Sequence, residues 1–299
     1  MTTATMLDTG NRIDIVYLFD VKDGNPNGDP DAGNAPRTDP ETGQGLVSDV
    51  ALKRKVRDYV AAAKQGAEKY KIYVKLHSAL HEQREQAYVA KKLDDKTKGK
   101  EKAAIITEAR QWMCENFFDI RAFGAVMGVT DFNCGQVRGP LQVTFARSID
   151  TIADLEQAIV RKAVEKDDAE KQLAKDGFIT GTLGRKSIIP YALYRAHIFY
   201  NPYFAKDTGF NDEDLALAID ALRMMFEIDH SAARGQMSAQ GLIAFQHSSP
   251  LGNAPAGKLF DRVTVRRLDE SRPARRFGDY RVDIDETALP SGVSLERLL

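Results

Sequence analysis

The sequence predicts an α+β fold, and three observations carry that prediction. Residues 13–20 read IDIVYLFD, a β-rich run that is apolar at most positions. Residues 49–64 carry a helical apolar period. With two charged excursions set aside, the remaining segments run strand, helix, strand, strand, helix, strand, which is the ferredoxin-like order. RNA-recognition modules share this RRM-like arrangement and bind on the sheet face, although a fold alone defines no function.

In chain order, Ile13, Ile15, Tyr17 and Phe19 alternate with Asp14, Val16, Leu18 and Asp20, which predicts a central strand. The following loop holds Gly24, Pro26, Gly28, Pro30, Gly33, Pro36, Pro40, Gly43 and Gly45, and no regular element is expected there. Ser48 is a good N-cap, with Asp49 in the first turn of the next helix. Leu52, Val56, Tyr59, Val60 and Ala63 form one buried stripe, with Lys53, Arg57 and Lys64 on another face and Arg54 beside them. Residues 72–76 read as a short strand or helix start, and 80–112 favour helix. Residues 91–102 (KKLDDKTKGKEK) read as a solvated tip, so 65–118 is expected to be an insertion. The apolar stretch from Asp119 returns to the core, 134–140 reads as a turn and 141–147 as a strand. Residues 148–187 form a second charged excursion between two strands, which predicts an extended hairpin arm ahead of a strand over 188–200. Asn211 caps a helix with stripe Leu215, Ile219, Leu222, Met225 and Phe226, expected to end near Ser231. A Gly-containing loop then leads to a strand at 242–246, with shorter strands at 262–268 and 280–284.

The chain has 299 residues, 43% hydrophobic and 28% charged, with a net charge of −1. It is therefore no polybasic glue, and any nucleic-acid affinity must come from segregated charge. Cys114 and Cys134 are unpaired in spacing, so neither a zinc site nor a disulfide framework is predicted. The N-terminal stretch lacks an apolar signal core, and no run approaches the roughly 20 residues of a bilayer span. A soluble, cytoplasmic protein without membrane contact is expected.

Asp23-Gly-Asn25-Pro-Asn27-Gly opens like an EF-hand loop, but its twelfth position is Asn34 rather than Glu, which argues against calcium. The bland reading is a run of Asx-turns. The alternative is a phosphate track of glycine-freed amides with Asn25, Asn27 and Arg37. Basic residues on an exposed helix are usually only solvated. Here they follow the glycine loop directly and are unbroken by acids from Lys53 to Arg57 in a near-neutral chain. Arg121, Arg138 and Arg234 are read as cations at element junctions that together would line a continuous groove. His77 and His81 stand four apart without the Glu of a zincin, and no nucleophile elbow or cofactor motif appears. A calcium-organised module and a metal-dependent ribonuclease remain the other function classes.

Several segments resemble the backbone subunit of type I-C CRISPR surveillance complexes, the Csd-two family of the Cas-seven (RAMP) superfamily. They are FDVKDGNPNGDPDAGNAPRTDPETGQGLVSDVALKRKVRDY, DIRAFGAVM, GPLQVTFARSID, IIPYALYRAH, the stretch ending SAARGQM, and LGNAPAGKLFDRV. The resemblance implies a ferredoxin-like palm (1–64, 119–147 and 188–299), a helical fingers insertion (65–118) and a thumb hairpin (148–187). It implies no catalytic centre, no cofactor and no metal. Copies would stack head to tail in a helical filament along one CRISPR RNA and present its bases to the target DNA strand. The 5′-end-capping and large subunits and a recruited nuclease-helicase would be further partners. A ribonuclease is the alternative because related backbone subunits cut target RNA. The resemblance places RNA contacts at Asn25, Asn27, Arg37, Lys53, Arg54, Arg57, Arg234 and Gln236, with Leu183, Arg185 and Lys186 in the thumb.

Overall fold

The computed structural model describes residues 7–161 and 182–299. Its centre is β1 (Ile13–Gly24), antiparallel to β10 (Thr182–Tyr200) on one side and to β11 (Gln236–His247) on the other. β14 (Val293–Arg297) extends the sheet beyond β11. On the far side, β7 (Leu141–Val143) and β8 (Ala146–Thr151) pair with β10, and β4 (Gln44–Val47) pairs with β8. The strand order is β14-β11-β1-β10-β8-β4, a mixed α+β architecture around one large antiparallel sheet.

The composition of β1 follows from its position. Side chains alternate across a sheet, and here both faces are covered. Ile13, Ile15, Tyr17, Phe19 and Val21 pack with Leu52, Val56 and Val60 of α1 (Asp49–Lys64) and with Leu215, Ile219 and Leu222 of α6 (Asp212–Met224). Val16 and Leu18 point the other way, into a second core with Leu259 and Phe260 of α7 (Ala256–Phe260), Val263 of β12 (Val263–Arg267) and Tyr280 of β13 (Tyr280–Ile284). The two aspartates on that second face are buried and bonded. Asp14 pairs with Arg12 at 2.7 Å and lies 3.0 Å from His247 Nε2. The Asn253 N–H donates to His247 Nδ1, which leaves Nε2 as the donor to Asp14. Asp20 accepts from the Tyr191 hydroxyl and the Gln240 amide.

The helix caps match the sequence. Ser48 Oγ accepts from the Ala51 N–H, and Asn211 and Asp214 form a reciprocal capping box. Several other expectations are corrected. The glycine-rich loop holds regular pairing after all: β2 (Gly28–Asp29) pairs with β3 (Ala35–Pro36), and β4 joins the main sheet. Its partner β8 lies a hundred residues downstream, so local breaker density does not decide the outcome. Residues 134–140 are no simple turn, because β6 (Gly135–Arg138) pairs with β5 (Gly124–Met127). The strand over 141–147 is broken between β7 and β8, where both Thr144 N–H and Thr144 Oγ1 are engaged by His197 of β10. A short α5 (Pro202–Thr208), capped by Asn201 and by a left-handed Gly209, was not anticipated, and α6 stops at Met224, short of Ser231. Ala63 is exposed, while Lys55 takes a buried place on the α1 stripe.

Residues 65–118 carry α2 (Leu80–Lys91) and α3 (Lys100–Asn116), with a core of their own around Tyr88, Met113 and Phe117. α4 (Phe118–Phe123) ties this core to α1 and α6 through two buried ion pairs. Asp119 accepts from Arg57 of α1 at 2.8 Å and from the N–H groups of Tyr73 and Val74. Arg121 grips Asp214 with two bonds of 2.7 and 2.8 Å and donates to the carbonyls of Cys114 and Lys69. Burial pushes the thiols of Cys114 and Cys134 up to about 11 and about 12, so both stay protonated. In the second excursion, β9 (Leu155–Arg161) pairs with the first part of β10 from Thr182 to Ile188. β8, which begins the 148–187 segment, belongs to the main sheet.

Removing one member of a buried pair strands the other charge, at a cost of about 3–5 kcal/mol. Arg121→Met is expected to lower stability by that amount in urea denaturation, and Arg121→Met with Asp214→Leu to recover much of the loss.

Candidate nucleic-acid interface

The loop after β1 and the turn before β11 meet backbone to backbone. The Asn25 N–H donates to the Ala233 carbonyl at 2.8 Å. A Cβ at Gly24 would run into the Arg234 carbonyl, and Gly235, at φ +61°, faces the carbonyls of Lys22 and Asp23. Only glycine allows this approach. The contact brings Arg234 to the N-terminal half of α1, beside Arg54 and Lys55.

Arg234 and Lys55 share one oxygen of Asp229, with Lys55 Nζ at 3.0 Å. Arg54 is 56% exposed and makes only a long 3.7 Å contact with Asp58. Lys55 is 5% exposed, its ammonium 5.4 Å from the Phe226 ring centre. Burial, with the guanidiniums of Arg234 and Arg54 adding to it and Asp58 opposing, pulls the Lys55 ammonium down to about 8. The Arg234 guanidinium is pulled down as well, first by burial and then by Arg54. Three cations, Arg54, Lys55 and Arg234, therefore gather beside two carboxylates, Asp229 and Asp58, and the excess positive charge suits an incoming anion.

The predicted contact residues divide into two groups. Arg57 and Arg121 are interior, spent on Asp119 and Asp214; Arg121 lies within α4 rather than at a strand end. They line no groove, so the continuous track expected from Arg121, Arg138 and Arg234 is corrected to a local cluster. The reason is that each found a buried carboxylate far along the chain, at separations of 62 and 93 residues. Lys53 pairs with Asp49 at 2.8 Å and lies half-buried over Phe123. Asn25 and Asn27 build the loop. Asn25 Oδ1 accepts from the Asn27 N–H, and Asn27 Oδ1 accepts from the Ser48 N–H, which ties the loop to the start of α1. This is the Asx-turn reading realised. Arg37 contacts Asp29 at 3.5 Å, and its buried Nε has no partner. Arg138 is exposed with its guanidinium 4.6 Å from the Phe204 ring centre. Gln236 is exposed opposite Lys22. Arg185 meets Glu156 at 3.2 Å on the β9–β10 arm, and Lys186 lies opposite Gln157. Leu183 pairs with Val160 through the backbone, and its side chain lies outside the described residues.

Lys55 is the residue that sequence reasoning missed. A signal was present, since it stands three positions after Leu52 and one before Val56, a lysine set on an apolar stripe. Among the described residues, no group of three or more His, Cys, Asp or Glu is placed to hold a metal ion, and no helix is long and apolar enough to cross a membrane.

These features define an α+β chain with a cationic cluster at a helix–loop junction of its sheet. The family model described as CRISPR-associated protein Cas7 matches residues 11–285, and the chain belongs to that family. A curated relative from Haloferax volcanii, "CRISPR-associated protein Cas7", is 50% identical over 52 residues. That alignment spans 17% of this chain and 15% of the relative. A chain of a solved "CRISPR RNA-guided surveillance complex, pre-nicking" aligns at 15% identity and TM-score 0.49, covering 78% of each chain. A chain of a "CRISPR RNA-guided surveillance complex" aligns at 14% identity and TM-score 0.44, covering 82% of this chain and 73% of the other.

Lys55 also makes stability depend on pH. The unfolded chain keeps this proton up to the ordinary lysine value of 10.5, whereas the folded chain releases it at about 8. Between these values the unfolded state binds more protons, so raising the pH favours the folded state, and the contribution is lost as pH falls through about 8. Urea midpoints of wild type relative to Lys55→Met should therefore rise from pH 7.5 to pH 10.

Proposed function

We propose that this chain is a non-catalytic backbone subunit that binds CRISPR RNA, of the type I-C kind, in antiviral defence. Copies assemble head to tail along one guide and present its bases for pairing with target DNA. The observation that carries the reading is the convergence of Arg54, Lys55 and Arg234 at the packed junction of α1 with the two glycine loops, in a chain whose net charge is only −1. The order β11-β1-β10-β8, with α1 and α6 on one face, supports a ferredoxin-like palm. The separate core of 65–118 supports fingers, and the β9–β10 ladder supports a thumb. Asn25, Asn27, Arg37, Lys53 and Gln236 border the cluster as its loop scaffold and rim, and Arg185 and Lys186 act from the thumb.

In this reading sequence specificity belongs to base pairing, and the protein holds phosphate and ribose. Bases kept in order before the target arrives lower the ordering cost of pairing. Head-to-tail contacts are heterologous and non-closing, so they propagate a filament. Its ends would meet the 5′-capping and large subunits, and the assembled complex would recruit the nuclease-helicase.

Arg54→Glu with Arg234→Glu is expected to weaken binding of a labelled single-stranded RNA at least tenfold at moderate salt, and to flatten the salt dependence by about 0.7 for each lost phosphate contact. Unchanged anisotropy titrations would sink the palm assignment. The pH response of binding runs opposite to that of stability. Phosphate needs the protonated Lys55, so wild-type affinity should fall from pH 7 to pH 9 while Lys55→Met stays level.

A further inference from the structure

The opposite face of the main sheet carries a group of arginines. From residue 259 to residue 299 every cation is arginine, eight in all against eight carboxylates, and the last lysine is Lys258. A merely solvated face could use lysine equally well, whereas arginine offers a planar fork that matches phosphate oxygens in pairs. Four of these arginines, Arg267, Arg272, Arg275 and Arg276, line a trough of about 580 Å³ against two carboxylates, Asp269 and Asp279. A second depression of about 340 Å³ shares Arg267 and Arg275 and runs on to Leu155 and Pro190, at the base of the β9–β10 arm. The two depressions adjoin through these shared arginines.

The hairpin that carries the trough is fastened in place. Arg195 donates to the carbonyls of Val263 and Phe260 and so fastens the β12–β13 hairpin to the sheet. Its Nε donates to His197, which burial holds down at about 4, leaving the imidazole neutral and able to accept. Tyr280 donates to Asp150 at 2.6 Å, and Arg267 reaches the carbonyls of Glu270 and Arg272 across the connecting loop. The rim, by contrast, is available. Arg272 and Arg276 are 80% and 81% exposed, paired only with Asp269 and Asp279 three residues away. Exposed pairs of this kind contribute little, so exchanging the carboxylate for a phosphate is nearly free of cost.

We propose that this trough is a second nucleic-acid track, which takes the phosphodiester backbone of a single strand. It lies across the sheet from the α1 cluster, since α1 packs on the Ile15 face and the β12–β13 hairpin on the Val16 face. A strand held here is therefore separate from one held by Arg54, Lys55 and Arg234, and the inference stands without the reading of that cluster.

The test uses the full chain with labelled 20-nucleotide oligo-dT and oligo-U in anisotropy titrations over a range of salt. Three variants are compared: Arg272→Glu/Arg276→Glu, Arg54→Glu/Arg234→Glu, and all four together. Thermal melts by circular dichroism check folding, and the wide exposure of Arg272 and Arg276 makes unfolding unexpected. The trough predicts that the α1 variant keeps a weaker, salt-dependent binding phase. It predicts that Arg272→Glu/Arg276→Glu weakens this phase at least tenfold, and that the four-fold variant abolishes binding. A preference for oligo-dT or for oligo-U in that phase identifies the strand as DNA or RNA, and either supports the proposal. Full retention of the phase in Arg272→Glu/Arg276→Glu overturns it. A change confined to the sedimentation coefficient also overturns it, and would assign the face to contact between copies of the chain.

Discussion

The burial of β1 on both faces is the constraint from which the rest of the molecule follows. A strand with one wet face can alternate freely, whereas β1 must be apolar in both directions or bond every polar group it carries. The chain does both. Its odd positions feed the core under α1 and α6, while Val16 and Leu18 feed the core under the C-terminal hairpin. Asp14 and Asp20 persist between them only because His247, Arg12, Tyr191 and Gln240 satisfy their oxygens. With both faces of the sheet covered, the exposed cations lie at its margins: Arg54 at the helix–loop junction on one side, and Arg272 and Arg276 on the C-terminal hairpin on the other.

Arginine plays two roles here, and the difference is one of partners rather than residue type. Arg57 and Arg121 are structural because buried carboxylates and carbonyls use their donors. Arg54, Arg272 and Arg276 are exposed and weakly paired, so their charge projects into solvent. Lys55 is intermediate, being buried but crowded by like charge. Its proton affinity is depressed first by burial and then by the neighbouring Arg234.

What the sequence made legible was local. The apolar alternation of β1, the Ser48 and Asn211 caps, the α1 stripe through Leu52 and Val56, and the strands near 263–267 and 280–284 depend on neighbours within a few residues. What it concealed was long-range. β4 is a strand because β8 lies beside it, and β6 because β5 does. Arg57 and Arg121 look like surface cations until Asp119 and Asp214 come into view. Lys55 joins Arg234 only because Gly24 and Gly235 allow two distant loops to touch. The site was half legible for the same reason: its loop and helix are contiguous in sequence, and its third wall is not.

The most direct measurement is photo-cross-linking of the chain to a 4-thiouridine-substituted guide RNA, with the attached peptides mapped by mass spectrometry. The account predicts cross-links concentrated in peptides from 24–37, 48–57 and 229–236. Cross-links spread evenly over the surface, or absent from those three segments, would contradict it.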